Sequence, residues 1–425
     1  MYAQPKTSLK SFRNDERGGI GIMFGISAMV ITMFAGVAID FSRVNHERTR
    51  VASSLDAAAL AAGKALLDGR LSDGDVEQIA RGFFNQNMEV AQRFGKVKEL
   101  NVNVDRATSG ITVTAKVEVP MTITRIAGFE KFEFPVSAST SFEQNDVELS
   151  VALDVTGSMA PAGKMDALKS ASNDLFDILL PDGGTPNKVR IALAPYSSGV
   201  NAGTYAAAAT GGAAPRDCTF ERNNANQANE FAPTPGNYLK MAGSPGVSPA
   251  AQCPTNARIV PLTDDKAMLR SSVQSYTPGG STAGHLGTQW AWYMISPEWK
   301  TIFTGNAMPV DYSDKKTKKA MILMTDGLFN TIGGKNDGDT SPTAAKSQKL
   351  AVDMCKAMRD KGVVVYTVGF KLDDISNKSL REKATQTLLD CAGSTRNFFD
   401  AANGEDLRDA FKAIAEQINN LRLTN

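Results

Sequence analysis

"LSVALDVTGSM", residues 149–159, is the stretch on which the reading of this chain turns. Its first half is apolar, as in a strand buried on both faces, and its second half is a short polar turn. One carboxylate and two hydroxyls stand on alternate positions where the halves meet: Asp154, Thr156 and Ser158. In extended chain, side chains two positions apart point the same way. An extended exit from the strand therefore predicts three oxygens converging on one point.

Around this stretch, from Asp146 onward, strand and helix patterns alternate. "VELSVALDV" reads as strand, "KMDALKSASNDLFDILL" as helix, "KVRIALAPY" as strand and "AGHLGTQWAWYMIS" as helix. "KAMILMTDG", "VVVYTVGF" and "RNFFDA" continue the strands; "TAAKSQKLAVDMCKAMRDKG", "SLREKATQTLLDCAG" and "GEDLRDAFKAIAEQINNL" continue the helices. Apolar strands between amphipathic helices predict an α/β fold: a doubly wound, mostly parallel sheet covered on both faces. Residues 198–258 interrupt the pattern. They are rich in Ala, Gly, Asn and Pro, show no strong period, and read as a long surface insertion.

In such a sheet, ligands bind at the C-terminal strand ends. Asp154 stands at one end and Asp326 at another, after "KAMILMT"; the loop "TPGGSTAG" adds Ser281 and Thr282 just before a helix. Two carboxylates and several hydroxyls, without nitrogen or sulfur, make a hard-oxygen site. Mg2+ prefers such ligands, completed by water.

"DVTGS", "GGSTAG" and "MTDG" resemble the metal-ion-dependent adhesion site of von Willebrand factor A-type (vWA) domains. The family pattern is Asp-x-Ser-x-Ser after the first strand, a Thr in a later loop and an Asp after a central strand. Thr156 stands where Ser is usual and keeps the hydroxyl. The resemblance covers Asp146 to the C-terminus and implies a Rossmann-like vWA sheet. It implies that Thr156, Ser158 and Thr282 hold Mg2+, or alternatively Mn2+ or Ca2+, partly through hydroxyls. Asp154 and Asp326 would act directly or through water, and Ser281 is the rival to Thr282. It also implies a binding module, not an enzyme, in which a partner protein's carboxylate completes the metal's coordination.

Three other readings compete. The oxygen-bearing residues can be helix caps, since Asp, Thr and Ser are preferred there. The site can be a degenerate one that no longer binds metal. "DVTGS" is also similar to the Asp-x-Thr-Gly-Thr of aspartyl-phosphate enzymes, which would make Asp154 a nucleophile. That pattern departs at Ser158, and "TDGLFN" is followed by Thr331 where those enzymes have an acid. "GGKNDGDTS", residues 333–341, has neither P-loop nor EF-hand spacing and reads as an exposed loop. Trp290, Trp292 and Trp299 read as core, and His285 as a helix-surface residue.

A chain of 425 residues is expected to hold two or three domains. Residues 18–39, "GGIGIMFGISAMVITMFAGVAI", carry no charge and are long enough to cross a bilayer as a helix, which needs about 20 residues. A cleaved signal peptide would have a shorter apolar core and a small-x-small site after it. Here "DFSRVNHERTRV" follows as continuing helix, so an uncleaved anchor is expected. Lys6, Lys10, Arg13 and Arg17 precede the stretch, against Asp15 and Glu16; Arg43, Arg48 and Arg50 follow it. This mild bias places the N-terminus in the cytoplasm. Phe41, Val44, Val51, Leu55, Ala58 and Ala62 mark one helix face that runs on to Gly69. A second helix starts at Ser72 or Asp73. "LNVNV" and "ITVTAKVEV", joined by "DRATSG", read as a hairpin that "MTITRI" and "FEFPVSASTSFE" extend into a small antiparallel β module over residues 97–143.

Lys+Arg is 46 against Asp+Glu 45, so no basic surface calls for nucleic acid. Two histidines, and four cysteines without CxxC spacing, argue against structural zinc. Cys218, Cys253, Cys355 and Cys391 all follow the apolar stretch, and an extracytoplasmic compartment lets them pair. Of the three connectivities, 218–253 with 355–391 is favoured because each closes a local loop.

"RGGIGIMFGISAMVITMFAGVAIDFSRVNHERTRVASSLDAAALAAG" resembles the start of TadG-like proteins of the tight-adherence (Flp) pilus machinery of bacteria. The matching features are Arg17-Gly18, the apolar stretch, Asp40, and the Ala-rich run from Asp56 to Gly63. This resemblance implies a single-pass inner-membrane protein of Flp/Tad pilus assembly or adhesion. Its large C-terminal part would lie in the periplasm or outside the cell, with another pilus-assembly or envelope component as partner. The alternative is a structural, minor pilin-like subunit. The expected layout is a cytoplasmic terminus at 1–17, the span at 18–39, a helical and β stalk at 40–145 and the vWA domain at 146–425.

Overall fold

The computed structural model describes residues 19–66, 71–89, 94–105, 110–141, 145–182, 188–212, 214–222 and 224–421. The charged residues before the apolar stretch, Gly69 and most of the "DRATSG" turn lie outside them. The chain divides into two compact units, Met1–Phe142 and Glu143–Asn425.

In the first unit, helix α1 runs unbroken over Gly19–Leu66. Its early residues, from Ile20 to Ile39, present their large apolar side chains outward, and the helix is long and apolar enough to cross a membrane. Beyond them Val51, Leu55, Ala58 and Ala62 are buried, whereas Phe41, expected on the same face, is 65% exposed. Helix α2, Asp73–Glu89, opens with a reciprocal cap: the Asp75 N–H donates to Ser72 Oγ and the Ser72 N–H to Asp75 Oδ2. Strands β1 (Lys96–Asp105), β2 (Gly110–Pro120) and β3 (Lys131–Ser141) form an antiparallel sheet in that order. Ile111, Val113, Ala115, Val117 and Val119 alternate inward along β2 and pack with the two helices. "MTITRI" is not a strand. It leaves the sheet as a 3-10 turn over Thr124–Ala127, because its N–H groups bond a carboxylate of α1 and not a neighbouring strand.

The second unit is a six-stranded sheet. Its strands are β4 (Asp146–Asp154), β5 (Val189–Tyr196), β6 (Val260–Thr263), β7 (Thr317–Thr325), β8 (Val364–Phe370) and β9 (Phe398–Ala401). Their order across the sheet is β9-β8-β7-β4-β5-β6. Five strands run parallel, and edge strand β6 is antiparallel to β5. The expected mostly parallel sheet is thus a mixed one, and neither β6 nor the helix after it stands out in the sequence. Helices α3 (Lys164–Leu179), α4 (Lys266–Gln274) and α8 (Gly404–Leu421) cover one face. Helices α5 (Gly284–Ile295), α6 (Pro342–Asp360) and α7 (Lys378–Ala392) cover the other. Along β4, Leu149, Val151 and Leu153 serve the first face and Ala152 the second.

Helix α5 is buried along its whole length, its polar His285, Thr288 and Gln289 included. The insertion supplies its cover and so belongs to the core, contrary to the surface reading. Phe220 and Leu239 are buried, Trp290 Nε1–H donates to Thr219 Oγ1 at 2.9 Å, and Arg222 donates to the Tyr293 hydroxyl. Cys218 pairs with Cys253 and Cys355 with Cys391, the expected connectivity. The first bond staples the insertion; the second joins α6 to α7.

Two substitutions test this packing. All three tryptophans lie in the second unit, so their fluorescence follows its unfolding. Replacing Cys355 and Cys391 together by serine should lower its stability by about 2–4 kcal/mol in chemical denaturation. Gly287 lies against the Tyr196 ring, and a Cβ there would stand 2.2 Å from Tyr196 Cδ1. Gly287→Ala should cost about 1–3 kcal/mol by overpacking.

Candidate metal centre

Strand order reverses at β4, whose neighbours β5 and β7 lead away in opposite directions. Such a switch point opens a crevice at the C-terminal strand ends. Leu153 of β4 pairs with Met324 of β7, so Asp154 leaves the sheet beside Thr325 and Asp326. Adjacent register thus brings together two carboxylates 172 positions apart in sequence (326 − 154).

Asp154 is fully buried. Its Oδ1 accepts the Thr156 N–H at 2.9 Å, and its Oδ2 accepts the Thr325 hydroxyl at 2.7 Å. The Tyr196 hydroxyl donates to Met324 O at 2.9 Å and stands 3.4 Å from Asp154 Oδ2. Thr156 keeps extended backbone (φ −76°, ψ 172°), and the chain then tightens into a 3-10 turn over Gly157–Met159. The extended exit therefore reaches Thr156 only. It is the turn that carries Ser158 back to Thr156, with the two hydroxyl oxygens 2.9 Å apart. Ser158 Oγ donates to Asp326 Oδ1 at 2.6 Å. Thr156, Ser158 and Asp326 are thus linked in one chain of oxygens, with Asp154 behind it.

The loop before α5 is stitched to this turn. The Gly279 N–H donates to Val155 O and the Gly157 N–H to Gly280 O, each at 2.9 Å. Gly280 has φ +81°, and a Cβ there would meet the Ser197 and Ser198 hydroxyls at 3.0 Å. Thr282 is buried; its N–H donates to Asn330 Oδ1 at 3.1 Å and its carbonyl accepts the Asn330 N–H at 2.9 Å. It is thereby held between the loop after β4 and the loop after β7. Ser281, its rival, is half-buried and gives its N–H to Ser198 Oγ at 2.8 Å. The site is mostly buried. Asp154, Thr156, Thr282 and Asp326 are all buried, and Ser158 is the exposed member.

Lys164 has no place in the sequence-based site, yet its Nζ lies 3.0 Å from Asp326 Oδ2 and 3.0 Å from Asp374 Oδ2. It is the first residue of α3 and is buried. A cation in the first turn of a helix opposes the helix dipole, and that misfit is the one sequence signal that could have flagged it. Burial and the neighbouring Asp326 push the Asp154 carboxyl up to about 7. Burial works against the Lys164 charge, but Asp326 and Asp374 outweigh it and hold its pKa above the ordinary lysine value.

The donor set suits a hard divalent cation: two carboxylates and neighbouring hydroxyls, all oxygen. Among the described residues no group of three or more His, Cys, Asp and Glu is placed to hold a metal, so any cation here must rely on those hydroxyls. The cap reading finds no support, because α3 begins after Gly163 with no side-chain cap. The aspartyl-phosphate reading gains no support: Asp154 is buried, each of its oxygens already accepts a hydrogen bond, and the motif departs at Ser158 and Thr331. His285 is not on a helix surface. It is 1% exposed, with Nδ1 2.8 Å from Ser347 Oγ. The three tryptophans are core, as expected; of the Gly-rich loop, residues 335–338 and 340 are exposed, whereas Gly333 is buried and its N–H donates to Glu221.

Comparison with solved structures finds the pilus adhesin SpaC from Lactobacillus rhamnosus GG, at 14% identity and a TM-score of 0.42, covering 77% of this chain and 35% of that one. The chain thus spans 35% of the SpaC chain it matches. The vWF domain of the type V pili tip protein Mfa5 from Porphyromonas gingivalis matches at 14% identity and a TM-score of 0.40, over 67% of this chain and 98% of that one. The adhesive tip pilin GBS104 from Group B Streptococcus agalactiae matches at 12% identity and 0.33, over 76% and 68%. These likenesses are too distant to carry an argument about function. No curated protein matches the chain. Residues 18–65 match the Tad family, "Putative Flp pilus-assembly TadE/G-like". The likeness to the TadE/G-like Flp pilus-assembly family is thus carried by this segment, the apolar helix and its Ala-rich continuation past Asp40.

Proposed function

We propose that this chain is a membrane-anchored component of Flp/Tad pilus assembly or adhesion whose second unit binds a protein partner through a divalent cation, Mg2+ by preference. The family match and the outward-facing apolar stretch of α1 support anchoring. Pairing of all four cysteines supports a second unit outside the cytoplasm. One observation carries the metal reading: the oxygen chain from Thr156 through Ser158 to Asp326, backed by Asp154. When bound, a divalent ion supplies an electrophilic centre that can accept a partner's carboxylate. The protein's own residues do the rest. Asp154 and Asp326 supply compensating charge. Thr156 and Ser158 supply hydroxyl oxygens, and Thr282 closes the site from the neighbouring loop. The Thr325 hydroxyl and the Thr156 N–H hold Asp154 in place. Ser158, the exposed member, marks the side from which a partner approaches.

Lys164 favours a second reading. Its ammonium already pairs with Asp326, so the cluster can serve the fold of a structural, pilin-like subunit without any ion.

Calorimetry with Mg2+ separates the two. Under the first reading, Asp154→Ala and Thr156→Val abolish or weaken Mg2+ binding, and Thr156→Ser retains it. Capture of the partner from envelope extract follows the same pattern and is lost in chelator. Lys164→Met removes a competing cation and tightens Mg2+ binding. Under the second reading no variant binds Mg2+, and Lys164→Met costs about 3–5 kcal/mol because Asp326 is left buried and unpaired.

A pH dependence follows from Asp154, whose carboxyl is raised to about 7 in the folded protein. The folded state then holds a proton that the unfolded state has lost, so without cation this group's contribution to stability declines as pH rises from about 4 to about 7. A bound cation must displace that proton. Mg2+ should therefore raise the melting temperature more at about pH 8 than at about pH 5. Equal Mg2+ effects at both would remove Asp154 from the cation site.

A further inference from the structure

The segment between β2 and β3, residues 121–130, folds over α1 where the uncharged stretch ends. The N–H groups of Thr122, Ile123 and Thr124 donate to the Asp40 carboxylate at 3.0, 2.9 and 2.9 Å, and the Thr124 hydroxyl donates to it at 2.8 Å. Asp40 is 2% exposed. One turn earlier, Gly36 leaves room for Ile123: a Cβ there would stand 2.1 Å from Ile123 Cγ2. Ile123 is thus seated three residues inside the uncharged stretch, about 4–5 Å along the helix from its end at Ile39. That stretch is about as long as the hydrocarbon core requires. In a membrane-spanning α1, Ile123 therefore reaches the acyl chains and the rest of the segment lies at the headgroup boundary.

The side chains at that level are apolar and uncovered. Ile126 is 87% exposed and Phe129 68%, with Phe41 of α1 at 65%. The row of β3 that faces the core runs Ala138, Val136, Phe134 and Phe132, at 6, 8, 8 and 51% exposure, so it loses its cover at the end next to this segment. Arg125, exposed, stands beside these residues with a charged end that can reach headgroups while its stem stays apolar, whereas the Lys131 ammonium is held by Glu118 and Glu133 at 3.0 and 2.8 Å. Contiguous exposed apolar surface of this kind marks an interaction site. Its continuity with the outward apolar face of α1 selects lipid as the partner.

We propose that residues 121–132 insert Ile126, Phe129 and Phe132 into the leaflet on the C-terminal side of the span, as a second membrane contact clamped to the helix by Asp40. This rests on the anchoring reading above. Two contacts at one interface fix the tilt and rotation of α1, which a lone apolar helix leaves to its neighbours.

The test uses the full-length chain in phosphatidylethanolamine–phosphatidylglycerol vesicles. Ile126→Cys, Phe129→Cys and Ile31→Cys are each labelled with an environment-sensitive fluorophore; all four native cysteines are disulfide-bonded and do not react. Nitroxide lipids serve as quenchers. The labels at 126 and 129 should lose emission to nitroxides near the headgroup, and the label at 31 to nitroxides deep in the acyl region. Asp40→Asn should diminish quenching at 129 and leave that at 31 intact. Unquenched labels at 126 and 129 beside a quenched label at 31 would overturn the insertion and leave the anchor standing. Cross-linking of Phe129→Cys between copies, without quenching, would overturn it in favour of a second chain as the cover. An unquenched label at 31 would remove the anchoring reading, and the insertion with it.

Discussion

Two carboxylates buried at neighbouring strand ends are the constraint from which the second unit's architecture follows. The parallel register of β4 on β7 sets Asp154 beside Asp326, and neither carboxylate has bulk water to solvate it. Like charges at such range raise each other's cost of ionisation. The surroundings answer with donors and a cation: the Thr325 hydroxyl and Thr156 N–H on Asp154, the Ser158 hydroxyl on one oxygen of Asp326, the Lys164 ammonium on the other. Lys164 offsets one negative charge. Burial and Asp326 favour a proton on Asp154 for the second, which under the proposed cation reading a divalent ion would displace.

The elements behind the crevice exist to hold this arrangement still. Tyr196 of β5 reaches across β4 to donate to the Met324 carbonyl near the end of strand β7, and Gly287 of α5 makes room for its ring. Helix α5 is buried on all sides because the insertion lies over it, and the Cys218–Cys253 bond closes that insertion. The loop carrying Thr282 is then positioned twice, by backbone bonds to the turn after β4 and by Asn330 after β7. A buried, hydrogen-bonded support of this kind limits how far the oxygens can drift.

The first unit solves a different electrostatic problem in a related way. Asp40 is a buried acid with Arg43 Nη1 3.6 Å from its Oδ1. Three consecutive backbone N–H groups and one hydroxyl donate to it at closer range. The donors come from a segment whose alternation suits a strand, so the carboxylate decides the local structure over the propensity of the chain. The outcome is an apolar loop fastened at the end of the apolar helix, where a regular strand would have passed by.

Composition and period alone sufficed for the long elements. The uncharged stretch, the strand and helix alternation after Asp146 and the β2–β3 pattern are local signals, and each element follows them. Asp154, Thr156, Ser158 and Asp326 were legible as a group because strand-end positions and oxygen chemistry are both written in the chain, and the cysteine pairing because each loop is short. What was not legible depends on contacts between distant residues. Edge strand β6 is a run of four residues whose partner lies 72 positions away (Thr263 to Ile191), too short to show a period. Lys164 needs the position of Asp326, 162 residues on, before its burial has a reason. His285 looks like a surface residue until α6 brings Ser347 over it. The turn at Gly157–Met159 and the clamp at Asp40 likewise override the alternation of their own residues. Local pattern specifies which side chains an element offers; only the packed sheet and helices determine which of them meet, because burial leaves a polar group no partner except the one that tertiary structure provides.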